Sequence, residues 1–439
     1  MSAYNYLNPQ EPMPTGTTQT SWLHSAIACT RCHACSRACP SFLLRPQEEF
    51  SPRGRVQLMR LVLEGKLKNN QAAPLLKQMI HTCLLCARCS QLCAGHVPVP
   101  HQLLAVARTY KIALFPRGLC NWFWLRLHFP KISDILLKLF LIVRRTGALL
   151  LLHPFFPSWL KYFYNILPRR TRAFTYSATN PSQPDLIYLP SFYAQYVDAS
   201  VAEKTVQLSR AKQPAVWTHT SSGLEFYLSG NQVACLQTAK KLLVRWENAC
   251  PRKPLPLLTD SVEIYLFLKH LPFLFAALPA WQKRAEKLAA QVRFITDYSF
   301  PKSTQKSTIL SKTALEDSAL LFPTTEISVR AHKILNTQVG KNLVECGYSR
   351  FPLPAAGVGL MYPAQAAQVV LENVKDIARQ QIAQIYCLSN WAALELDTAL
   401  KHYYPAGQAQ PFIHLFTDYG PVQERNTQII RRRKVKSAR

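Results

Sequence analysis

Apolar residues in the N-terminal part of the chain recur at helical spacing. Ser51 is a suitable N-cap, Pro52 fits the first helical position, and Gly65 would end the helix. An apolar stripe lies between these signals, at Val56, Met59 and Leu63. The pattern predicts an all-helical domain over residues 22–106.

From residue 174 the pattern changes to short apolar strands that alternate with amphipathic helices. Such alternation predicts parallel sheets covered by helices. Three pairs of similar segments lie 132 to 134 residues apart: 186–190 with 319–323, 221–223 with 355–357, and 268–272 with 400–405. The constant spacing predicts one α/β unit duplicated over residues 174–305 and 306–425, with further strands at 215–217 and 385–388.

The remaining segments are a polar leader (residues 1–21), a connector (107–173) and a basic tail (426–439). Between Val106 and Arg172 there are twelve Lys and Arg residues against one acid, interleaved with Trp and Phe. Basic faces with aromatic anchors are typical of helices that lie in a membrane interface. The connector therefore favours a membrane surface, with an arm that grips a partner subunit as the alternative.

Composition narrows the setting. The chain has 439 residues, a formal charge of +28 and 13 cysteines. The charge indicates an anionic partner or surface. The leader has neither a basic nor an apolar signal region, so we expect a cytoplasmic protein whose thiols stay reduced and available to metals. Charges and prolines interrupt the apolar stretch 132–164, and no membrane span is predicted.

The strongest chemical signal is a pair of four-cysteine motifs. The first quartet is Cys29, Cys32, Cys35 and Cys39, followed by Pro40, and the second quartet is Cys83, Cys86, Cys89 and Cys93. Both follow the C-x2-C-x2-C-x3-C spacing that binds 4Fe-4S clusters, in which the fourth cysteine ligates the other cluster. This predicts two 4Fe-4S clusters, one on Cys29, Cys32, Cys35 and Cys93, the other on Cys83, Cys86, Cys89 and Cys39. Structural zinc is the alternative, although zinc sites normally use two separated cysteine pairs.

The residues between and around the quartets resemble a known family. Ser51-Pro52-Arg53-Gly54-Arg55, the helix ending Leu63-Glu64-Gly65 and the second quartet resemble the iron-sulfur subunit of glycolate oxidase, with its lactate-utilisation and heterodisulfide-reductase relatives. The resemblance covers residues 26–108. It implies an all-helical two-cluster ferredoxin domain followed by the duplicated α/β region. It also implies a flavoprotein dehydrogenase as partner.

The C-terminal half departs from that family. Its repeats carry a Cys-Cys-Gly signature, where this chain has Ser221-Ser222-Gly223 and no cysteine pair near residues 354–357. Hydroxyls are poor iron ligands, so a third cluster is not expected. Of the later cysteines only one falls at a family ligand position, and all are expected to be buried thiols: Cys120, Cys235, Cys250, Cys346 and Cys387. Ala94 replaces the proline that usually follows the second quartet.

The function expected from this resemblance is electron transfer for a flavin-linked dehydrogenase of glycolate or lactate. Electrons would pass through both clusters to a membrane surface or quinone-linked acceptor, from the inner face of the cytoplasmic membrane, and the chain would have no substrate site of its own. The alternatives are a reductase acting on disulfides and an iron-sulfur scaffold. Nucleic acid is not an expected partner. Arg53 and Arg55 either counter the charge of a cluster or simply start a solvated helix.

Overall fold

The computed structural model describes residues 26–67, 69–95, 97–110, 112, 115–168, 171–174, 184–218, 220–250, 253–298, 311–317, 325–344, 353 and 358–416. The predicted leader and basic tail, together with Cys346, Ala319–Pro323 and Ala355–Gly357, lie outside these residues. The described N-terminal part is helical, as predicted. Its α-helices are α1 (Pro40–Leu44), α2 (Pro52–Leu63), α3 (Asn69–His81), α4 (Arg88–Gln91) and α5 (Val99–Thr109).

Helix α2 shows why this region is helical. The Ser51 hydroxyl accepts a hydrogen bond from the Gly54 amide at 2.8 Å, and Pro52 takes the first position of the helix. Val56 and Met59 are then buried in the apolar core. Local capping and the apolar stripe therefore act together, as the sequence predicted.

The connector forms three helices, α6 (Arg117–His128), α7 (Pro130–Arg145) and α8 (Ser158–Ile166). Leu137 and Leu141 of α7 are buried against α8 and the α/β region. Across the described ranges, no helix combines the length and the apolar character needed to cross a bilayer.

The first sheet contains four parallel strands in the order β2-β1-β3-β4, where β1 is Leu186–Leu189, β2 Pro214–Val216, β3 Leu257–Thr259 and β4 Val292–Phe294. All four residues of β1 are buried, as expected for a parallel strand covered on both faces. The covering helices are α9 (Ala199–Ser209), α10 (Leu224–Leu228), α11 (Gln232–Ala249), α12 (Val262–Leu274) and α13 (Pro279–Gln291).

The second sheet contains three parallel strands in the order β5-β6-β7, where β5 is Thr313–Glu316, β6 Gln384–Cys387 and β7 Gln408–Pro411. Its helices are α14 (Thr325–Val339), α15 (Val358–Met361), α16 (Pro363–Gln380) and α17 (Asn390–Tyr403). The two parallel sheets confirm the predicted fold class.

The strand positions correct the spacing of the predicted repeat. Thr313 and Gln384 follow Leu186 and Leu257 by 127 residues each, so β5 and β6 take the places of β1 and β3. An isolated parallel bridge from Thr313 to Leu343 lies where β2 lies in the first sheet. The offset is therefore 127 residues rather than 132 to 134. The sequence match was drawn to a second apolar segment ending in proline, which follows β5.

Helix starts after equivalent strands bring the two α/β units together. Ser261 caps α12 after β3, and Ser389 caps α17 after β6. Both hydroxyls donate to the buried carboxylate of Glu263, Ser261 at 2.6 Å. The carboxyl ends of the two sheets thus meet at one shared polar group.

Candidate iron-sulfur site

The loops that carry the first three cysteines of each quartet have the same backbone conformation. In the first loop, φ is 60° at Arg31 and 68° at His33; in the second, it is 54° at Leu85 and 55° at Ala87. These residues occupy equivalent positions, two after the first cysteine and one after the second. A left-handed conformation costs a residue other than glycine roughly 1–2 kcal/mol, and such strain concentrates at functional sites. Two loops of different sequence thus hold three thiols each in one arrangement.

The fourth cysteine of the second quartet lies with the first loop. Burial raises the pKa of the Cys35 thiol to about 11, and its charged neighbours are Cys29, Cys93 and Cys39. Cys32 is exposed, and the Ala34 amide lowers its pKa by hydrogen bonding to the thiolate. The proximity of Cys93 to Cys35 favours its assignment to the cluster of the first loop.

The fourth cysteine of the first quartet lies with the second loop. Burial raises the pKa of Cys86 to about 12, and the neighbours that raise it further are Cys39 and Cys83. Burial likewise raises the pKa of Cys89, beside Cys86 and Cys39. Buried thiols of this kind ionise when they bind a cation, as iron provides. The crossed ligand assignment remains a proposal that these proximities favour.

A buried arginine separates the two cationic candidates of the sequence. Arg55 is 1% exposed, and its Nη1 lies 3.5 Å from the Cys39 Sγ. Its other donors reach the carbonyl oxygens of Met79 and Thr82, at 3.3 and 3.0 Å. Within the described part of the chain this guanidinium contacts no carboxylate, so its charge faces the thiols of the second loop. A cluster with four thiolate ligands carries the negative charge that fits this place.

Arg53, by contrast, lies at the surface. Its Nε and Nη2 donate to the two carboxylate oxygens of Glu48, each at 2.8 Å. The Glu48 carboxylate therefore compensates most of its charge. Of the two arginines, Arg55 has the geometry to act on a cluster, and Arg53 fits a solvated helix start.

Two close backbone approaches hold the quartets in place. A side chain at Gly95 would meet the Ala28 carbonyl oxygen at 2.7 Å, so only glycine allows the chain after the second quartet to pass the start of the first loop. Thr82, just before the second quartet, accepts from the Ser41 hydroxyl and from the Gln365 amide. Gln365 also donates to Ser41 at 2.8 Å. These contacts, which the sequence did not reveal, fix both quartets to helix α16.

The later cysteines lie away from the quartets. Cys235 and Cys387 are buried in α11 and β6, while Cys120 and Cys250 are half-buried. Ser221 and Ser222 follow β2, and Gly223 has a φ of 96° at the start of α10. The Ser221 hydroxyl accepts from the Gly223 amide at 3.0 Å and donates to Glu225. This loop is held by hydroxyl and carboxylate groups instead of thiols.

Comparison with known proteins agrees with the N-terminal geometry. The family described as 4Fe-4S dicluster domain matches residues 25–97. The glycolate oxidase iron-sulfur subunit of Escherichia coli K12 is 35% identical over 81 residues, which is 18% of this chain and 19% of that protein. The probable glycolate oxidase iron-sulfur subunit of Bacillus subtilis 168 is 35% identical over 83 residues, 19% of this chain and 18% of that protein.

The match thus spans less than a fifth of the length of these curated relatives. No solved structure matches the chain significantly. Residues 25–97 are an iron-sulfur electron-transfer domain of the dicluster type, and their two cysteine quartets are consistent with two 4Fe-4S clusters.

Proposed function

We propose that this chain is the electron-transfer subunit of a flavin-linked dehydrogenase that oxidises a 2-hydroxy acid such as glycolate or lactate. In the bound state the clusters supply one-electron transfer. The chain itself ligates them, buries them and sets the charge around them. The names of the two bacterial relatives support the substrate class, and the short match to them leaves that class a proposal.

The arrangement of the two cysteine loops carries this proposal. Each loop lies with the fourth cysteine of the other quartet, so neither half of the site is complete alone. A crossed arrangement places two redox centres side by side. A purely structural role would need one centre, whereas adjacent centres suit a relay between a donor and an acceptor.

The connector supports a membrane acceptor. On α7 an exposed apolar row lies opposite the buried Leu137 and Leu141, and it consists of Ile132, Ile135, Leu139 and Ile142. Lys131, Lys138 and Arg145 are exposed on the same helix. Apolar residues between cations suit the surface of an anionic bilayer. We therefore propose peripheral attachment at the inner face of the cytoplasmic membrane.

Vesicle binding tests the attachment. The wild-type chain should cosediment with vesicles containing anionic phosphatidylglycerol, and Ile135→Glu should weaken binding at least tenfold. Val233→Glu is the matched control, because Val233 is equally exposed, at 67% against 64%, but lies alone on α11. Equal binding by both variants would remove α7 from the interface.

Affinity capture tests the dehydrogenase partnership. The tagged chain, purified anaerobically from its own source, should bring with it a protein containing flavin, and the complex should reduce its clusters when glycolate or lactate is added. Capture of the chain alone, or clusters that stay oxidised with every 2-hydroxy acid tried, would contradict the proposal.

A further inference from the structure

A cavity of about 590 Å³ lies at the carboxyl ends of the strands of the first sheet. Residues that follow β1, β2 and β3 form its floor, and the connector helices α6, α7 and α8 form its roof. The strand order reverses between β1 and β3, and the crevice at such a switch point is where open α/β sheets bind ligands. Both its position and its size are those of a small-molecule site.

The walls of the cavity are mainly aromatic. Rings from all three connector helices line it, together with Phe192 after β1 and Trp391 at the start of α17. The rings of Phe163 and Trp391 are nearly parallel, 11° apart, with centroids 6.4 Å apart. Aromatic faces pack best against another flat ring in an offset arrangement. The walls therefore favour a planar ring over a flexible chain.

The floor of the cavity is polar and fixed. The Asp260 carboxylate accepts from the Ser191 amide and the Asn390 side chain, both at 2.8 Å, and from the Tyr188 hydroxyl at 2.9 Å. On the wall, Arg126 lies 3.5 Å from the Tyr196 hydroxyl, which engages one of its five N–H donors. The site thus offers hydrogen-bonding groups at fixed places to a ligand that is otherwise apolar.

A short segment joins the cavity to the second cysteine loop. Leu360 lines the cavity, and Tyr362, two residues further on, lies beside Cys83 and packs against the His81 ring at 5.6 Å. Two residues span at most about 7 Å of chain. The ligand in the cavity is therefore a near neighbour of the cluster proposed on the second loop.

The cavity also reaches the surface beside the apolar row of α7. Leu136 lines the cavity and is 44% exposed, and Ile135 next to it is 64% exposed. A ligand dissolved in a bilayer would meet this opening directly if α7 lies on the membrane.

We infer that this cavity binds a lipid-soluble quinone. The inference rests on the proposed function and identifies its membrane acceptor. The ring stacks on the aromatic walls, its two carbonyl oxygens accept hydrogen bonds, and its tail leaves past Leu136. Reduction to the quinol takes two electrons from the partner's oxidation of the 2-hydroxy acid and two protons from water, which form two O–H bonds on the ring.

Quinone binding can be measured without any turnover. The anaerobically purified full chain is titrated with a decyl-substituted benzoquinone while the fluorescence of its tryptophans is followed, since three of them line the cavity (Trp122, Trp159 and Trp391). Wild type should show saturable quenching. Leu136→Trp, which narrows the opening, should weaken binding at least tenfold. Ile135→Trp, its neighbour outside the cavity, should change binding less than twofold.

A photoreactive azidoquinone gives a second measurement that needs no variant. Labelled peptides should come from α6, α7 or the segment after β1. Labelling elsewhere, no saturable quenching, or equal competition by decanoic acid would overturn the inference. These outcomes are separate from the capture of a flavoprotein: quinone binding without a flavoprotein partner would contradict the proposed function alone.

Discussion

Replacing Arg55 by Met should lower the reduction potential of the cluster at the second loop. The Arg55 Nη1 lies 3.5 Å from the Cys39 Sγ, and an iron bonded to that sulfur would lie about 2.3 Å beyond it, by analogy with zinc. One unit charge at about 6 Å, with an effective dielectric constant near 20, interacts with an added electron by about 3 kcal/mol. At 59 mV per tenfold change for one electron, this corresponds to about 120 mV. Because the electron is shared over the whole cube, we expect a decrease of about 100 mV.

The assay is a redox titration monitored by EPR on anaerobically purified protein. Arg53→Met is the matched control, since Arg53 lies on the same helix but is paired with Glu48 at the surface, and it should move either potential by less than about 20 mV. Arg55→Lys keeps the charge and should stay close to wild type. A shift below about 20 mV in Arg55→Met with its iron retained, or an equal shift in Arg53→Met, would refute the reasoning.

Two further predictions concern the crossed ligands and a buried carboxyl. Cys39→Ser should lose the cluster of the second loop and about half the iron while the other EPR signal persists; Cys250→Ser should keep all of it, and loss of the first loop's signal would contradict the crossed assignment. Burial raises the pKa of Glu395 from 4.5 to about 8. The folded state therefore keeps a proton that the unfolded state releases, and its stability should fall as pH rises from 4.5 to 8. Glu395→Gln should flatten that slope in urea unfolding; an unchanged slope would refute it.

Sequence reasoning succeeded where the signal is local. The cysteine spacing predicts two clusters within two short loops, and the Ser51 cap with its apolar stripe predicts α2. The apolar runs that became β1 and β6 were equally clear, because a strand buried on both faces needs a continuous apolar segment.

The parts that sequence could not supply depend on contacts between distant residues. The positions of Arg53 and Arg55 look equivalent along the chain, and only burial distinguishes the free guanidinium charge from the one paired with Glu48. The repeat offset was misjudged because apolar segments ending in proline resemble one another. The cavity combines side chains from the connector and both α/β units, and no local pattern announces it.

The most direct test of the central claim is the metal content of intact protein. Chain purified under strictly anaerobic conditions should contain about eight iron atoms and about eight acid-labile sulfides. On reduction, EPR should show two clusters whose spins interact because they lie side by side. Zinc in place of iron, or iron for a single cluster that Cys39→Ser and Cys93→Ser both abolish, would contradict two adjacent 4Fe-4S clusters.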